Sequence, residues 1–282
     1  MSRRVEPQEN IYTDSMDYAG RGEIDLMLVF ALLCEFIGCV AINFFGCASQ
    51  MHIQSSSPIQ AEETSDLSIG ITFGIIYTIC TLMFYNVSGA RFNPAVTLAL
   101  MILNKIKLYR GIFYIAAQML GCSCGSLILY SVSPFQSQSE FFNRNYTLGL
   151  TLPARNIHFT QALVIELLGT FVLTMIILTI MEVQNTIHRF APFAIGLVFI
   201  FGTCAFGKFT GASFNPARSF GPAVLSMNWH HHWIYWAGPI AGAIVAALVF
   251  KVVLEDYFLS DDESDEEIEE EEIVVPRKSR RI

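Results

Sequence analysis

Long apolar runs alternate with short polar links along most of the chain. Six runs, at roughly 24–46, 67–87, 108–132, 158–181, 190–207 and 233–254, are long enough to cross a bilayer as helices, since about 20 apolar residues span ~30 Å of hydrocarbon. Two further apolar pieces, NPAVTLALMI at 93–102 and NPARSFGPAVL at 215–225, are too short. About 10 residues at about 1.5 Å each cover about 15 Å, half the depth. The pattern predicts an all-α integral membrane protein with six transmembrane helices and two re-entrant half-helices.

The pattern also repeats. Each half reads helix, helix, half-helix, helix. CEFIG around Glu35 in the first span is matched by IELLG around Glu166 in the fourth. Three full spans per copy is an odd number, so the second copy enters from the opposite face. That is an inverted repeat, an architecture found in transport proteins. The predicted organisation is an N-terminal segment 1–23, a membrane domain 24–254 with repeats 24–132 and 158–254, and a C-terminal tail 255–282.

Composition fits a membrane-embedded body. Of 282 residues, 53% are hydrophobic and 15% charged, against about 25% charged in soluble domains. The net charge of -8 comes largely from the tail stretch DDESDEEIEEEE, so it carries no argument for a nucleic-acid partner. The first ten residues, MSRRVEPQEN, are polar, and the first apolar run is the expected insertion signal. Lys105, Lys107 and Arg110 fall in one short link, Arg189 in another, and none in 48–66. Basic residues favour the cytoplasmic side. Both termini are therefore expected in the cytosol, with 48–66 and 133–157 outside, although Arg144 and Arg155 run against the trend. The seven cysteines (Cys34, Cys39, Cys47, Cys80, Cys122, Cys124 and Cys204) lie in or beside apolar runs without zinc spacing to histidine, and read as small buried hydrophobes. No metal or cofactor is expected.

SGARFNPAV at 88–96 returns as TGASFNPAR at 210–218. Irregular backbone at membrane depth survives only where protein buries it or it lines a wet cavity. Gly89-Ala90 and Gly211-Ala212 permit a tight loop. Asn93 and Asn215 are strong helix caps, and Pro94-Ala95 and Pro216-Ala217 suit a first helical turn. If the half-helices enter from opposite faces, both positive dipole ends meet near the midplane beside asparagine amides. Such a site orients water by its oxygen and repels cations and protons. Arg218, one turn into the second half-helix, reads as a functional intramembrane charge rather than one reaching the surface.

On these motifs the stretch 24–254 resembles the aquaporin, or major intrinsic protein, family. The resemblance implies an aquaporin-like bundle with one pore per subunit, homotetramers, passive conduction and no catalysis. It places an outer filter at Phe73, Thr203, Ala212 and Arg218, and gives Glu35 and Glu166 the role of accepting hydrogen bonds from the half-span loops. Thr203 stands where strict water channels have histidine, and Ala212 where mammalian ones often have cysteine. Both substitutions widen the filter toward glycerol and urea. Ser219, Ala223 and the pair Tyr235-Trp236 are water-type instead. The mixture is similar to the insect entomoglyceroporin branch. The function expected is passage of water and small uncharged solutes across, most simply, the plasma membrane. A strictly water-selective channel, a junction or adhesion protein with a poorly conducting pore, and an ion channel are the alternatives.

Smaller signals complete the reading. Asn145 heads a glycosylation sequon in the expected outer loop. Ser264, followed by three acidic residues, resembles an acidophilic kinase site. His230, His231 and His232 read as an interfacial belt with Trp229 and Trp233, with metal or proton sensing as the sharper alternative.

Overall fold

A computed structural model describes residues 26–51, 65–133, 148–181 and 188–254. Asn145, Ser264, the N-terminal segment and the acidic tail lie outside the described residues. The first repeat contains α1 (Leu26–Ser49), α2 (Asp66–Ser88), the short α3 (Pro94–Ile102) and α4 (Leu108–Val132). The second contains α5 (Phe159–Ile176), continued by a π turn to Met181, then α6 (Ala191–Thr210), the short α7 (Pro216–Ser226) and α8 (Ile234–Val249), continued by a π turn to Leu254. Among the described residues, six helices are long and apolar enough to cross a membrane.

The polarity of the bundle is inverted relative to a soluble protein. Ile37, Ile75, Phe113, Leu168, Leu197 and Leu248, one from each spanning helix, are exposed. Glu35, Gln118, Glu166, Asn215 and Arg218 are buried. An outer surface of that kind is stable against lipid and not against water.

Packing follows the repeat. Within repeats, α1 lies on α4 and on α2, and α5 lies on α8 and on α6. Between repeats, α2 lies on α6. The half-helices are exchanged: α3 packs on α8, and α7 packs on α4. Small residues make these contacts close, as expected where lipid removes most of the hydrophobic drive between helices. A Cβ at Gly121 would lie 2.5 Å from the Phe36 carbonyl oxygen, and one at Gly242 would meet backbone atoms of Leu167 and Phe171 within 3.0 Å. Gly242→Val is therefore expected to lower the melting midpoint of the detergent-solubilised protein, by an overpacking cost of about 1–3 kcal/mol. An unchanged midpoint would mean that α5 and α8 part freely.

The polar residues at helix ends explain where the sequence-based bounds fell short. The second run was expected to stop at 87 and the fifth at 207, yet α2 runs to Ser88 and α6 to Thr210. These two hydroxyls are helical and also receive the N–H groups of Ala90 and Ala212, at 3.0 and 3.1 Å. Their polarity serves the loop that follows.

Candidate functional site

Two loops carry the repeated motif, and their backbones match residue for residue. Gly89 and Gly211 end the preceding helices in the left-handed region, at φ 80° and 82°, with their N–H groups on Tyr85 O and Gly207 O. Ala90 and Phe92 have φ 49°, and Ala212 and Phe214 have 44° and 51°. Non-glycine residues there cost of order 1–3 kcal/mol each and persist only where the surroundings fix them.

Two devices fix them. The first is a buried carboxylate per repeat. Glu35 Oε1 accepts from Arg91 N at 3.0 Å and from Ser88 Oγ at 2.7 Å. Its Oε2 accepts from Phe92 N and from Gln118 Nε2, both at 2.8 Å. Glu166 accepts from Ser213 N at 3.1 Å and Phe214 N at 2.7 Å. The second device is a ring wedged on a glycine. A Cβ on Gly38 would overlap the Phe92 ring, and one on Gly169 would overlap Phe214. Each of these glycines lies one helical turn after its glutamate, which accounts for the E-x-x-G shared by CEFIG and IELLG.

The asparagines cap the half-helices and cross-link them. Asn93 Oδ1 accepts from Ala95 N at 2.9 Å, and Asn215 Oδ1 from Ala217 N at 3.0 Å and Arg218 N at 3.4 Å. Asn93 Nδ2 donates to Phe214 O at 2.8 Å, and Asn215 Nδ2 to Phe92 O at 2.7 Å. The cap of each half-helix thus holds the other loop, and the two N-termini face one another at the centre of the bundle. Pro94, Ala95, Pro216 and Ala217 are all buried.

Arg218 is buried rather than extended to the surface. Its guanidinium donates to Gly149 O at 2.7 Å and to Gln50 Oε1, and lies 4.9 Å from the Phe73 ring centroid. Phe73 and Arg218 are therefore neighbours. Thr203 and Ala212 are buried as well. At the level of Thr203 the spanning helices touch closely: a Cβ on Gly70 would be 3.3 Å from Thr203 Cβ. A proline creates the next requirement. Pro222 has no N–H for the Arg218 carbonyl one turn back, and Asn43 Nδ2 donates to that carbonyl at 3.4 Å.

Two residues singled out as water-type turn out to tether the second loop. Ser219 Oγ receives Thr151 Oγ1 at 2.7 Å and lies 2.6 Å from Ser213 Oγ. Tyr235 Oη donates to Thr210 O at 2.7 Å. Sequence reasoning missed Tyr77 and Phe199. Asn215 Nδ2 donates a further hydrogen bond to Tyr77 Oη at 2.9 Å, and the Tyr77 and Phe199 rings stack at 3.7 Å and 9°. The available signal was spacing, because Tyr77 follows Phe73 by one turn and Phe199 precedes Thr203 by one.

Other candidates separate more simply. Cys39, Cys47, Cys80 and Cys122 are buried and Cys34 and Cys124 half-buried, but Cys204 is exposed on α6, contrary to the reading of all seven as buried. Its thiol donates to Asp66 O, 3.9 Å away at the start of α2. His230 and His231 are exposed with Trp229 and Trp233. His232 tucks against Trp229, with ring centroids 5.0 Å apart, and burial pushes its imidazole below the ordinary value. Among the described residues no group of His, Cys, Asp and Glu could hold a metal ion.

Known proteins match this arrangement. The family model described as Major intrinsic protein matches residues 25–250. Aquaporin-5 of Homo sapiens is 36% identical over 230 residues, covering 79% of this chain and 80% of that protein. The lens fiber major intrinsic protein of Lithobates pipiens is 37% identical over 226 residues, covering 79% and 81%. Among solved structures, the X-ray structure of the aquaglyceroporin from Plasmodium falciparum aligns with TM-score 0.68 at 22% identity, over 82% of this chain and 98% of that one, a likeness of fold alone.

Proposed function

From the premise that the chain belongs to the major intrinsic protein family, we propose that it conducts water together with small uncharged solutes such as glycerol and urea. It is an integral membrane protein and a passive transmembrane channel, not an enzyme. One observation carries the finer reading: two asparagine-capped half-helices face each other under a filter that holds a buried arginine but only a threonine at position 203.

The chemistry follows from those groups. Two positive helix ends repel cations, and an amide donor binds a permeant through its oxygen. A water held that way has its oxygen occupied and accepts a proton from neither neighbour in the file, which interrupts proton relay. Arg218 supplies donors at the filter for water or a solute hydroxyl, and Phe73 supplies an apolar wall. Thr203 and Ala212 leave room beside them. The same positions support placing the channel near the insect branch of the family. We assign it to the plasma membrane as a homotetramer with cytoplasmic termini.

Swelling of proteoliposomes in parallel water, glycerol and urea gradients tests the reading. All three are expected to pass. Vesicles tight to water despite correct insertion would favour the adhesion reading, and sustained currents would favour an ion channel. A strictly water-selective channel is the second reading, supported by the water-type residues Ser219, Ala223, Tyr235 and Trp236; swelling in water alone would establish it. Mercurials provide a separate check. With Ala212 at the filter, mercury is expected to leave conduction unblocked there. Strong block that persists after Cys204→Ser and replacement of the other cysteines would contradict the assignment of Ala212.

A further inference from the structure

We propose that Tyr77 and Phe199 form a second, inner constriction that limits both the rate of conduction and the size of solute, one turn below the outer filter; the inference rests on the channel reading above. Phe73 and Tyr77 are four residues apart on α2, and Phe199 and Thr203 are four apart on α6. Each pair therefore shares a helix face, and the inner residues lie about 6 Å deeper, at four residues of helical rise. Their depth is fixed independently by the bond from Asn215 to the Tyr77 hydroxyl, 2.9 Å long.

That bond changes what a permeant meets. An asparagine amide has two N–H groups. Those of Asn215 go to Phe92 O at 2.7 Å and to Tyr77 Oη. Asn93 gives one N–H to Phe214 O at 2.8 Å, and among the described residues its second meets no acceptor. The two motifs are thus unequal in this structure. Asn93 offers a donor to the lane, while at Asn215 a phenol oxygen stands where the oxygen of a water or alcohol would bind.

The rings close the space as well. Tyr77 and Phe199 stack face to face with centroids 3.7 Å apart, van der Waals contact that admits no water between them. Phe199 has little freedom to retreat. The Phe214 ring lies behind it, 6.4 Å away between centroids, and is itself wedged against Gly169 and Gly202. Widening at Thr203 and Ala212 consequently does not set the limit; the inner pair does. A permeant passes by displacing the phenol from Asn215.

Flux through proteoliposomes with equal protein density tests this, using wild type, Tyr77→Leu, Phe199→Leu and Tyr77→Phe. The leucine variants are expected to raise glycerol flux about tenfold and water flux severalfold, and Tyr77→Phe, which removes one oxygen and frees the Asn215 N–H, to raise water flux roughly threefold, the size of one net hydrogen bond. A conducting wild type whose flux none of the variants changes would overturn the inner constriction and leave the channel reading intact. Tight vesicles for wild type and every variant would remove both. Should the leucine variants fail to insert, the near-isosteric Tyr77→Phe decides alone: water flux equal to wild type overturns the proposal.

Discussion

Vesicles carrying Thr203→His are expected to swell in a water gradient and to stay closed to glycerol and urea. Thr203 is buried on α6 at the level where α2 and α6 come within close contact, so a larger side chain has no free volume behind it and must extend into the lane. Histidine adds a ring with a polar nitrogen, which water can bond in single file and a three-carbon polyol cannot pass. Steric discrimination in a rigid site is worth about 10–200-fold, and a loss of glycerol flux at the upper end of that range is the expected result. Water flux should fall only modestly. If wild type and variant both pass water alone, the water-type residues Ser219, Ala223 and Tyr235 were the better guides to solute range. The structure gives those residues a physical task, since Ser219 and Tyr235 anchor the second loop.

The largest loss of stability is expected from Glu35→Ala. The glutamate side chain is wholly buried and receives four donors. Gln118 and Ser88 can find other partners: Gln118 Nε2 already bonds Thr97 Oγ1 at 3.0 Å, and Ser88 Oγ lies 3.5 Å from Phe84 O. The N–H groups of Arg91 and Phe92 have no such freedom. An orphaned buried donor costs about 1–3 kcal/mol, which applies to Phe92 in full and to the part-buried Arg91 less, and the loop they hold contains two non-glycine residues at positive φ. The variant should melt well below wild type in detergent and insert poorly in cells. Glu35→Gln, which keeps one acceptor oxygen, should fall between the two. A Glu35→Ala protein that melts with wild type would show that the loop is held by the Phe92 ring on Gly38 alone.

Much of this was readable before any coordinates. The spanning helices could be placed because lipid imposes a length, and the half-helices because Asn-Pro-Ala caps a helix wherever it occurs. Glu35 and Glu166 stood out because ionisable groups are rare in such runs. What escaped was chosen by long-range contact. Arg218 is held by Gly149 and Gln50, 69 and 168 residues away along the chain. Neither residue type announces such a role. Tyr77 escaped for a different reason. Inside an apolar run a tyrosine reads as any membrane aromatic, and only the fold shows that its hydroxyl turns inward to Asn215. Asn43 was invisible for the same cause, since its duty exists only because Pro222 leaves a carbonyl open.

The exchange of half-helices, with α3 on α8 and α7 on α4, bears on the order in which the protein can be built. When the first repeat has left the ribosome, α4 waits for a partner that is not yet made, and α3 has only α4 of its own repeat to lie against. Synthesis of α7 satisfies α4, but α3 and α5 lack their most extensive neighbour until α8 arrives. The last helix to be translated therefore completes both repeats in one step. Until then the chain is a set of inserted spans without a finished interior, and quality control has a single late event to monitor.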